Sequence, residues 1–156
     1  MADAPLPDGI VLRPAGPGDL EAVRALVRDA KLPLDGLEAQ FGDAYVVAVR
    51  REGRIVGTAG MEVHGDCGLL RSAVVAPPLR GLGLGEALTN DRLAWARVRG
   101  LRSVWLLTTT AADFFDRFGF VQADRSSAPP ALAASTEFSV ACPASAACLR
   151  LELEDA

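Results

Sequence analysis

The apolar residues near the start of the chain recur every three or four positions. This spacing predicts an amphipathic helix over Asp19–Ala30, which begins after Pro17-Gly18. Its apolar face is formed by Leu20, Val23, Leu26, Val27 and Ala30. A short strand is expected before this helix at Ile10–Arg13, and a second short helix followed by a loop is expected after it at Lys31–Phe41.

Apolar and β-branched residues then form three runs that are separated by turn residues. Ala44–Arg50 and Arg54–Val63 flank Arg51-Glu52-Gly53, which predicts a hairpin with a short turn. His64-Gly65-Asp66 marks a second turn before the run Cys67–Ala76. We therefore predict an antiparallel meander of these strands.

The next part of the chain has the pattern of a strand–helix–strand crossover. Helical spacing over Glu86–Arg99 ends at Gly100, and Ser103–Thr108 is an apolar run typical of a strand buried on both faces. Because a helix joins them, Cys67–Ala76 and Ser103–Thr108 are expected to lie parallel through a right-handed crossover.

Shorter elements are expected toward the end of the chain. A short helix is predicted over Ala111–Phe118, a strand from Phe120-Val121, and a loop with one helical turn over Ser126–Phe138. In Ala146–Leu153 apolar and polar positions alternate, which predicts a last strand with one face packed and one facing water. The face expected in water carries Cys148, Arg150 and Glu152.

Length, composition and charge narrow the class of protein. The 156 residues, half of them hydrophobic, suffice for a single domain over residues 1–156, with 1–9 as a flexible lead. A net charge of −4 argues against nucleic acid or an anionic membrane as a partner. No apolar run reaches membrane-spanning length, and the N-terminus lacks the features of a signal peptide. We therefore predict a cytoplasmic protein whose cysteines are reduced.

The stretch R-G-L-G-L-G-E-A-L at 80–88 concentrates three glycines between a predicted strand and a predicted helix. It is not a P-loop, because no lysine follows, and not a dinucleotide fingerprint, because Glu86 or Leu88 stands where the third glycine is required. The pattern Arg80-x-x-Gly83-x-Gly85 opens onto a helix N-terminus, whose free N–H groups and positive dipole end favour a phosphate. A pyrophosphate site is one interpretation, and a turn that only allows close packing is the other.

These residues resemble the acetyl-CoA signature of the GNAT acetyltransferases. The stretch V-V-A-P-P-L-R-G-L-G-L-G-E-A-L carries the likeness, and T-T-T-A-A-D-F-F-D-R-F-G-F is similar to the family's next motif, a short helix that ends in Gly-Phe. The likeness covers roughly residues 10–123. It implies an α/β fold of the GNAT type, with a mixed central sheet flanked by helices and two central strands that splay apart to admit the pantetheine arm.

A narrower likeness is to the GNAT proteins of arsenic-resistance operons and to the acetyltransferase domain of glutamate N-acetylating enzymes. H-G-D-C-G-L-L-R-S, L-L-T-T-T-A-A-D-F-F and T-E-F-S-V-A-C-P-A-S-A-A-C-L carry it. It implies transfer of an acetyl group from acetyl-CoA to the primary amine of a small molecule. An amino acid, or an arsenic or phosphinate analogue of one, is the acceptor that this likeness suggests.

The family resemblance also implies which residues bind acetyl-CoA. Val74 and Val75 would offer backbone groups to the pantetheine arm, and Arg80 would lie at the edge of the pyrophosphate. The hydroxyl of Thr108 would hydrogen-bond the cofactor, and Phe114 would lie against its arm. Backbone N–H groups of the glycine loop would hold the pyrophosphate, at Gly81, Leu82, Gly83, Leu84, Gly85 and Glu86.

The positions that supply acid and base in many GNAT proteins hold other residues here. Phe115 stands where a tyrosine would protonate the CoA thiolate, and Leu69 stands where a glutamate would act as base. Glu62 on the neighbouring strand is the expected replacement base, with His64 next, and a backbone N–H near Val75 is the expected oxyanion donor. The alternative is that Glu62 lies on a solvated face and that His64 caps a turn.

Arg71 and Ser72 are polar residues inside an otherwise apolar run. We expect both to bind the substrate, with Arg71 as a bidentate partner of a carboxylate or oxyanion. An ordinary salt bridge on the face of the strand is the alternative for Arg71.

Three further expectations concern metals, assembly and catalysis itself. No metal is expected, because the C-x5-C spacing of Cys142 and Cys148 is a weak metal signal. Oligomeric state stays open, and the apolar segment 138–147 is where a homodimer contact would be sought. A non-catalytic acyl-CoA-binding module is the alternative function, because Phe115 and Leu69 interrupt the usual acid and base positions.

Overall fold

The computed structural model describes residues 6–141 and 145–153, and within them seven strands form one mixed sheet in the order β1-β2-β3-β4-β5-β7-β6. The strands are β1 (Ile10–Pro14), β2 (Tyr45–Arg50), β3 (Ile55–His64), β4 (Cys67–Val75), β5 (Ser103–Thr108), β6 (Val121–Gln122) and β7 (Ala147–Glu152). The helices are α1 (Leu20–Asp29), α2 (Leu84–Val98), α3 (Ala112–Asp116) and α4 (Pro130–Ala133). The predicted meander and the α/β class of the fold are confirmed.

Alternate residues of β2 pack into two different hydrophobic clusters. Val46 and Ala48 join the cluster that contains Leu84 and Leu88 of α2. Tyr45, Val47 and Val49 join the cluster that contains Val23 and Val27 of α1. The two long helices therefore cover opposite faces of the sheet, as the period of two along a strand requires. No helix in the described part of the chain is long and apolar enough to cross a membrane.

The parallel pairing between β4 and β5 is short. Only Cys67, Gly68 and Leu69 of β4 pair with β5, whereas β5 stays paired with β7 along its whole length. The two central strands therefore separate after Leu69. This is the splayed pair of strands that the family resemblance implied.

A β-bulge lies in β4 just past this point. Thr58 pairs with Val74 and Gly60 pairs with Arg71, so β4 has one residue more than β3 over this interval. Ser72 lies in the bulge with a φ of 57°, a left-handed conformation that is uncommon outside glycine. A bulge bends the strand that carries it, and bulges are frequent beside active sites. The bend falls where β4 leaves β5.

The second helix predicted over Lys31–Phe41 does not form. Helix α1 ends in a Schellman motif, in which Lys31 N–H bonds to Arg28 C=O and Leu32 N–H bonds to Val27 C=O. Beyond it the chain forms turns, because the carbonyls of Pro33 and Asp35 accept hydrogen bonds from Arg71. A helix there would require these carbonyls for its own ladder.

The prediction for the exposed face of the last strand is also wrong at one position. Cys148 is 7% exposed and packs in a cluster with Leu69, Trp105, Leu132 and Phe138. The segment that follows β6 covers this part of the face. Alternation along one strand does not reveal such a cover, because it is contributed by a different part of the chain.

Candidate active site

A cavity of about 700 Å³ opens where β4 and β5 separate. Its walls are the part of β4 from Leu70 to Val75, the end of β5 and the residues of α3 that face it. At one end it reaches the glycine loop before α2, and at the other it reaches Leu32, Pro33 and Glu137. The cavity is therefore a passage between the glycine loop and a group of buried charged residues.

The glycine loop has the backbone conformation that its glycines permit. Gly81 and Gly83 have φ values of 83° and 85°, in the left-handed region that side chains other than glycine rarely adopt. Gly83 is the N-cap of α2, so the unpaired N–H groups of the first helical turn begin there. Arg80 Nε donates a hydrogen bond of 3.1 Å to the carbonyl of Val75, which joins the loop to the end of β4.

Gly85 has a different role from the other two glycines of the loop. It lies in the first turn of α2, and a Cβ built on it would be 3.5 Å from Phe114 Cζ and 3.8 Å from Val75 Cγ2. A methyl group there would be in ordinary van der Waals contact with both side chains, so the glycine leaves this part of the cavity wall open. An apolar wall beside a helix N-terminus suits a pantetheine arm joined to a pyrophosphate.

The other predicted cofactor-binding residues differ in whether their side chains line the cavity. Thr108 and Glu86 line the cavity, and Thr108 Oγ1 accepts a hydrogen bond of 3.0 Å from the N–H of Ala111. Leu82 is exposed and Leu84 is buried in the core, so neither side chain faces the cavity. Their predicted contribution is through the backbone. Val74 and Val75 line the cavity at the end of β4.

Arg71 holds the far end of the cavity together. Its side chain is completely buried. Nη1 donates to Glu62 Oε2 at 3.0 Å and to the carbonyl of Asp35 at 2.9 Å, and Nη2 donates to the carbonyl of Pro33 at 3.0 Å. Nε donates to Ser72 Oγ at 3.2 Å. The guanidinium that was expected to hold a substrate carboxylate is thus engaged by groups of the protein.

Glu62 and His64 lie on the side of Arg71 that is away from the cavity. His64 Nε2 is 2.9 Å from Glu62 Oε1, while the second oxygen of Glu62 binds Arg71. Glu62 is directly opposite Leu69 in the β3–β4 register, so it is a neighbour of the position that is glutamate in many GNAT proteins. Glu62 is 4% exposed, the same as Glu137 at the far end of the cavity, so burial does not separate the two carboxylates. Neither Glu62 nor His64, however, is among the residues that line the cavity.

Of the described carboxylates, Glu86 at the glycine loop and Glu137 at the far end line the cavity, and sequence reasoning missed Glu137. It lies in a π-helical turn, Glu137–Ala141, and its Oε1 is 3.6 Å from Arg71 Nε. Burial raises the pKa of Glu137 to about 7, with Arg71 opposing the rise and Glu62 adding to it. A carboxyl group with a pKa near neutrality is suited to proton transfer.

Ser72 and Tyr45 extend the hydrogen-bonded network that starts at Arg71. The hydroxyl oxygens of the two side chains are 3.4 Å apart, and burial raises the pKa of Tyr45 to about 12. Because Ser72 lines the cavity, Tyr45 is next to the cavity wall. Phe115 is 6% exposed and lines the cavity, but a phenyl ring has no proton to donate.

The cysteines lie outside this group. Cys67 and Cys148 are buried free thiols, and burial raises the pKa of each. Cys142 lies outside the described residues, as do part of the segment 138–147 and residues 1–5 of the expected lead. Among the residues that are described, no three His, Cys, Asp or Glu side chains are grouped as metal ligands.

The comparisons with known proteins agree with this geometry. Residues 20–120 match the model of the acetyltransferase (GNAT) family. The chain is 30% identical over 149 residues to a mycothiol acetyltransferase of Pseudarthrobacter chlorophenolicus, with 80% of this chain and 46% of that protein covered. It is 35% identical over 103 residues to an amino-acid acetyltransferase of Ectopseudomonas mendocina, with coverages of 65% and 23%. It thus spans less than half the length of these curated relatives.

Solved structures show the same fold. A Mycobacterium tuberculosis protein crystallised in complex with CoA is 27% identical, with a TM-score of 0.78 and coverage of 92% of this chain and 99% of that one. An N-acetylglutamate synthase from Neisseria gonorrhoeae, complexed with coenzyme A and N-acetyl-glutamate, has a TM-score of 0.79 at 22% identity and coverages of 93% and 35%. With the family model matched over most of its length, this chain belongs to the GNAT acetyltransferase family.

Proposed function

We propose that this chain is an acetyl-CoA-dependent N-acetyltransferase that acetylates the primary amine of a small molecule. The observation that carries the proposal is one continuous cavity that is lined by the glycine loop and by the buried carboxylate of Glu137. A donor that enters at the loop and an acceptor that enters at the far end would meet where β4 and β5 separate. Transfer between two bound molecules requires such a meeting point.

The donor end suits acetyl-CoA through the backbone. The N–H groups of the first turn of α2, from Gly83 onward, would hold the pyrophosphate, with Arg80 beside them. The arm would pass Gly85 and run along the edge of β4 that β5 leaves unpaired, near Val74 and Val75. A backbone N–H near Val75 would then stabilise the developing oxyanion.

The acceptor end suits an amine, because an ammonium group must lose a proton to a nearby base before its nitrogen can attack the thioester. Glu137 faces this end, and the donors of Arg71 are directed at Glu62, Ser72 and loop carbonyls. We therefore assign Arg71 to the support of this end of the cavity, and its binding of a substrate carboxylate stays a prediction. Amino acids and mycothiol appear in the names of the relatives, so these classes are the first acceptors to test.

A release assay tests the proposal. The protein is incubated with acetyl-CoA and one amine at a time, and free CoA thiol is measured over a panel of amino acids, polyamines, amino sugars and arsenic or phosphinate amino-acid analogues. We expect amine-dependent release for at least one class. Thermal stabilisation by acetyl-CoA without release for any amine would favour the non-catalytic acyl-CoA-binding module. If acetyl-CoA gives no stabilisation, the assignment of the donor is wrong.

A further inference from the structure

We propose that Glu137 is the catalytic base, and that Glu62 and Arg71 are positioning residues that hold it. The proposal rests on the proposed function, because a base is needed only if an amine is acetylated. It replaces the expectation from sequence that Glu62 or His64 takes the proton.

Access to the cavity distinguishes the candidates. Glu137 lines the cavity, whereas Glu62 has one oxygen on Arg71 at 3.0 Å and the other on His64 at 2.9 Å. An acceptor amine at the far end of the cavity would therefore meet Glu137, and not Glu62, on the cavity wall. For Glu62 to take the proton, its bonds to both neighbours would have to be rearranged.

The segment that carries Glu137 is fixed by its own contacts. Phe138 packs edge-on against Trp105 of β5, with ring centroids 6.3 Å apart, and its carbonyl accepts a hydrogen bond of 2.7 Å from Arg125. The N–H of Phe138 donates to Ser135 Oγ at 3.3 Å. The residue beside Glu137 is therefore anchored to the strand that forms one wall of the cavity.

The charges around Glu137 come from several elements. The charged groups are Arg71 of β4, Glu62 of β3 and Arg125 of the segment before α4, and the titratable phenol of Tyr45 of β2 lies beside them. His64 is joined to this group by its hydrogen bond to Glu62. Two carboxylates thus share one buried guanidinium, which keeps Glu62 paired at 3.0 Å and leaves Glu137 at 3.6 Å. The looser partner is the one placed to exchange a proton.

The proton and bond changes balance with these groups. The ammonium of the acceptor gives one proton to the Glu137 carboxylate, and the neutral nitrogen then forms the C–N bond to the thioester carbon. The C–S bond breaks, and the second proton lost by nitrogen accompanies the sulfur, which gives free CoA thiol. Glu137 finally releases its proton to water. No acid is required at Phe115, because a thiolate is a good leaving group.

The test is the pH dependence of kcat/KM, measured with two amines of different pKa for the wild type, Glu137→Gln and the matched control Glu62→Gln. For the wild type we expect a rise near pH 7 with both amines, as the pKa of Glu137 of about 7 requires. Glu137→Gln should lose about 10²- to 10⁴-fold at neutral pH, and its rise should move to each amine's own pKa. Glu62→Gln should keep the rise and move it to lower pH, since its charge raises the pKa of Glu137.

Two results would overturn the assignment of Glu137. One is a Glu137→Gln profile that keeps the rise near neutrality, and the other is loss of that rise in Glu62→Gln, which would make Glu62 the base. Thermal stabilisation by acetyl-CoA provides a readout that does not depend on activity, and it should be the same in Glu137→Gln as in the wild type.

A wild type that binds acetyl-CoA but releases no CoA with any amine would overturn the proposed function, and the assignment of Glu137 with it.

Discussion

Replacing Gly85 tests the path assigned to the pantetheine arm. The Cβ of an alanine would fit here, 3.5 Å from Phe114 Cζ and 3.8 Å from Val75 Cγ2, whereas the further carbons of a leucine must enter the cavity. Gly85 is within α2, so either residue should stabilise the fold by about 0.5–1 kcal/mol relative to glycine. We therefore expect Gly85→Leu to be folded and to bind acetyl-CoA poorly, with Gly85→Ala as the matched control.

The size of the effect follows from overpacking and mass action. Overpacking costs about 1–3 kcal/mol, which corresponds to a rise in Kd of roughly 5- to 150-fold. Acetyl-CoA at about 100 times the wild-type Kd adds about 2.7 kcal/mol, or roughly 5–11 °C in Tm for a chain of this length. In Gly85→Leu the same concentration should give about two thirds of that shift or less.

Differential scanning fluorimetry with and without acetyl-CoA measures both quantities on the same samples. Gly85→Ala should have the same or a higher Tm without ligand and should keep at least as much of the shift as Gly85→Leu. A full wild-type shift in Gly85→Leu would refute the path, because the arm would then not run along the cavity wall at Gly85. A low Tm without ligand would refute the packing argument.

Two predictions concern the charged group. Arg71→Met should lower the free energy of unfolding by about 3–5 kcal/mol in urea titrations, because Glu62 and Glu137 lose their buried partner; loss below about 1 kcal/mol would contradict this. Because the pKa of Glu137 is raised to about 7, the native state binds more protons than the unfolded chain. Stability should therefore fall as pH rises from about 4.5 to 7, and Glu137→Gln should lack this component; identical profiles would contradict it.

Much of the fold could be predicted because its signals are local. Turn residues at Arg51-Glu52-Gly53 and at His64-Gly65-Asp66 separate β2, β3 and β4 where the structure separates them. The glycines at 81 and 83 adopt positive φ before α2, as a loop that opens onto a helix requires. Each of these features depends on neighbours in the chain, so a pattern of neighbours predicts it.

The acceptor end could not be predicted in the same way. Glu137 is far along the chain from Arg71, and long-range contacts such as the packing of Phe138 on Trp105 bring it to the cavity. The turns after α1 form because the carbonyls of Pro33 and Asp35 bind a distant arginine. Glu62 was singled out because it lies on the strand next to that of Leu69, and the structure pairs the two residues directly. That Arg71 and His64 occupy both oxygens of Glu62 depends on how the side chains pack in the folded protein, which the sequence pattern does not show.

The most direct test of the account follows the acetyl group itself. The protein is supplied with acetyl-CoA labelled with ¹³C at the carbonyl and with the most active amine of the panel, and the label is followed by NMR. We expect the thioester signal to be replaced by an amide signal on the amine, in step with the release of free CoA thiol. Label that stays on the thioester, or that is released as acetate whether or not an amine is present, would contradict this expectation.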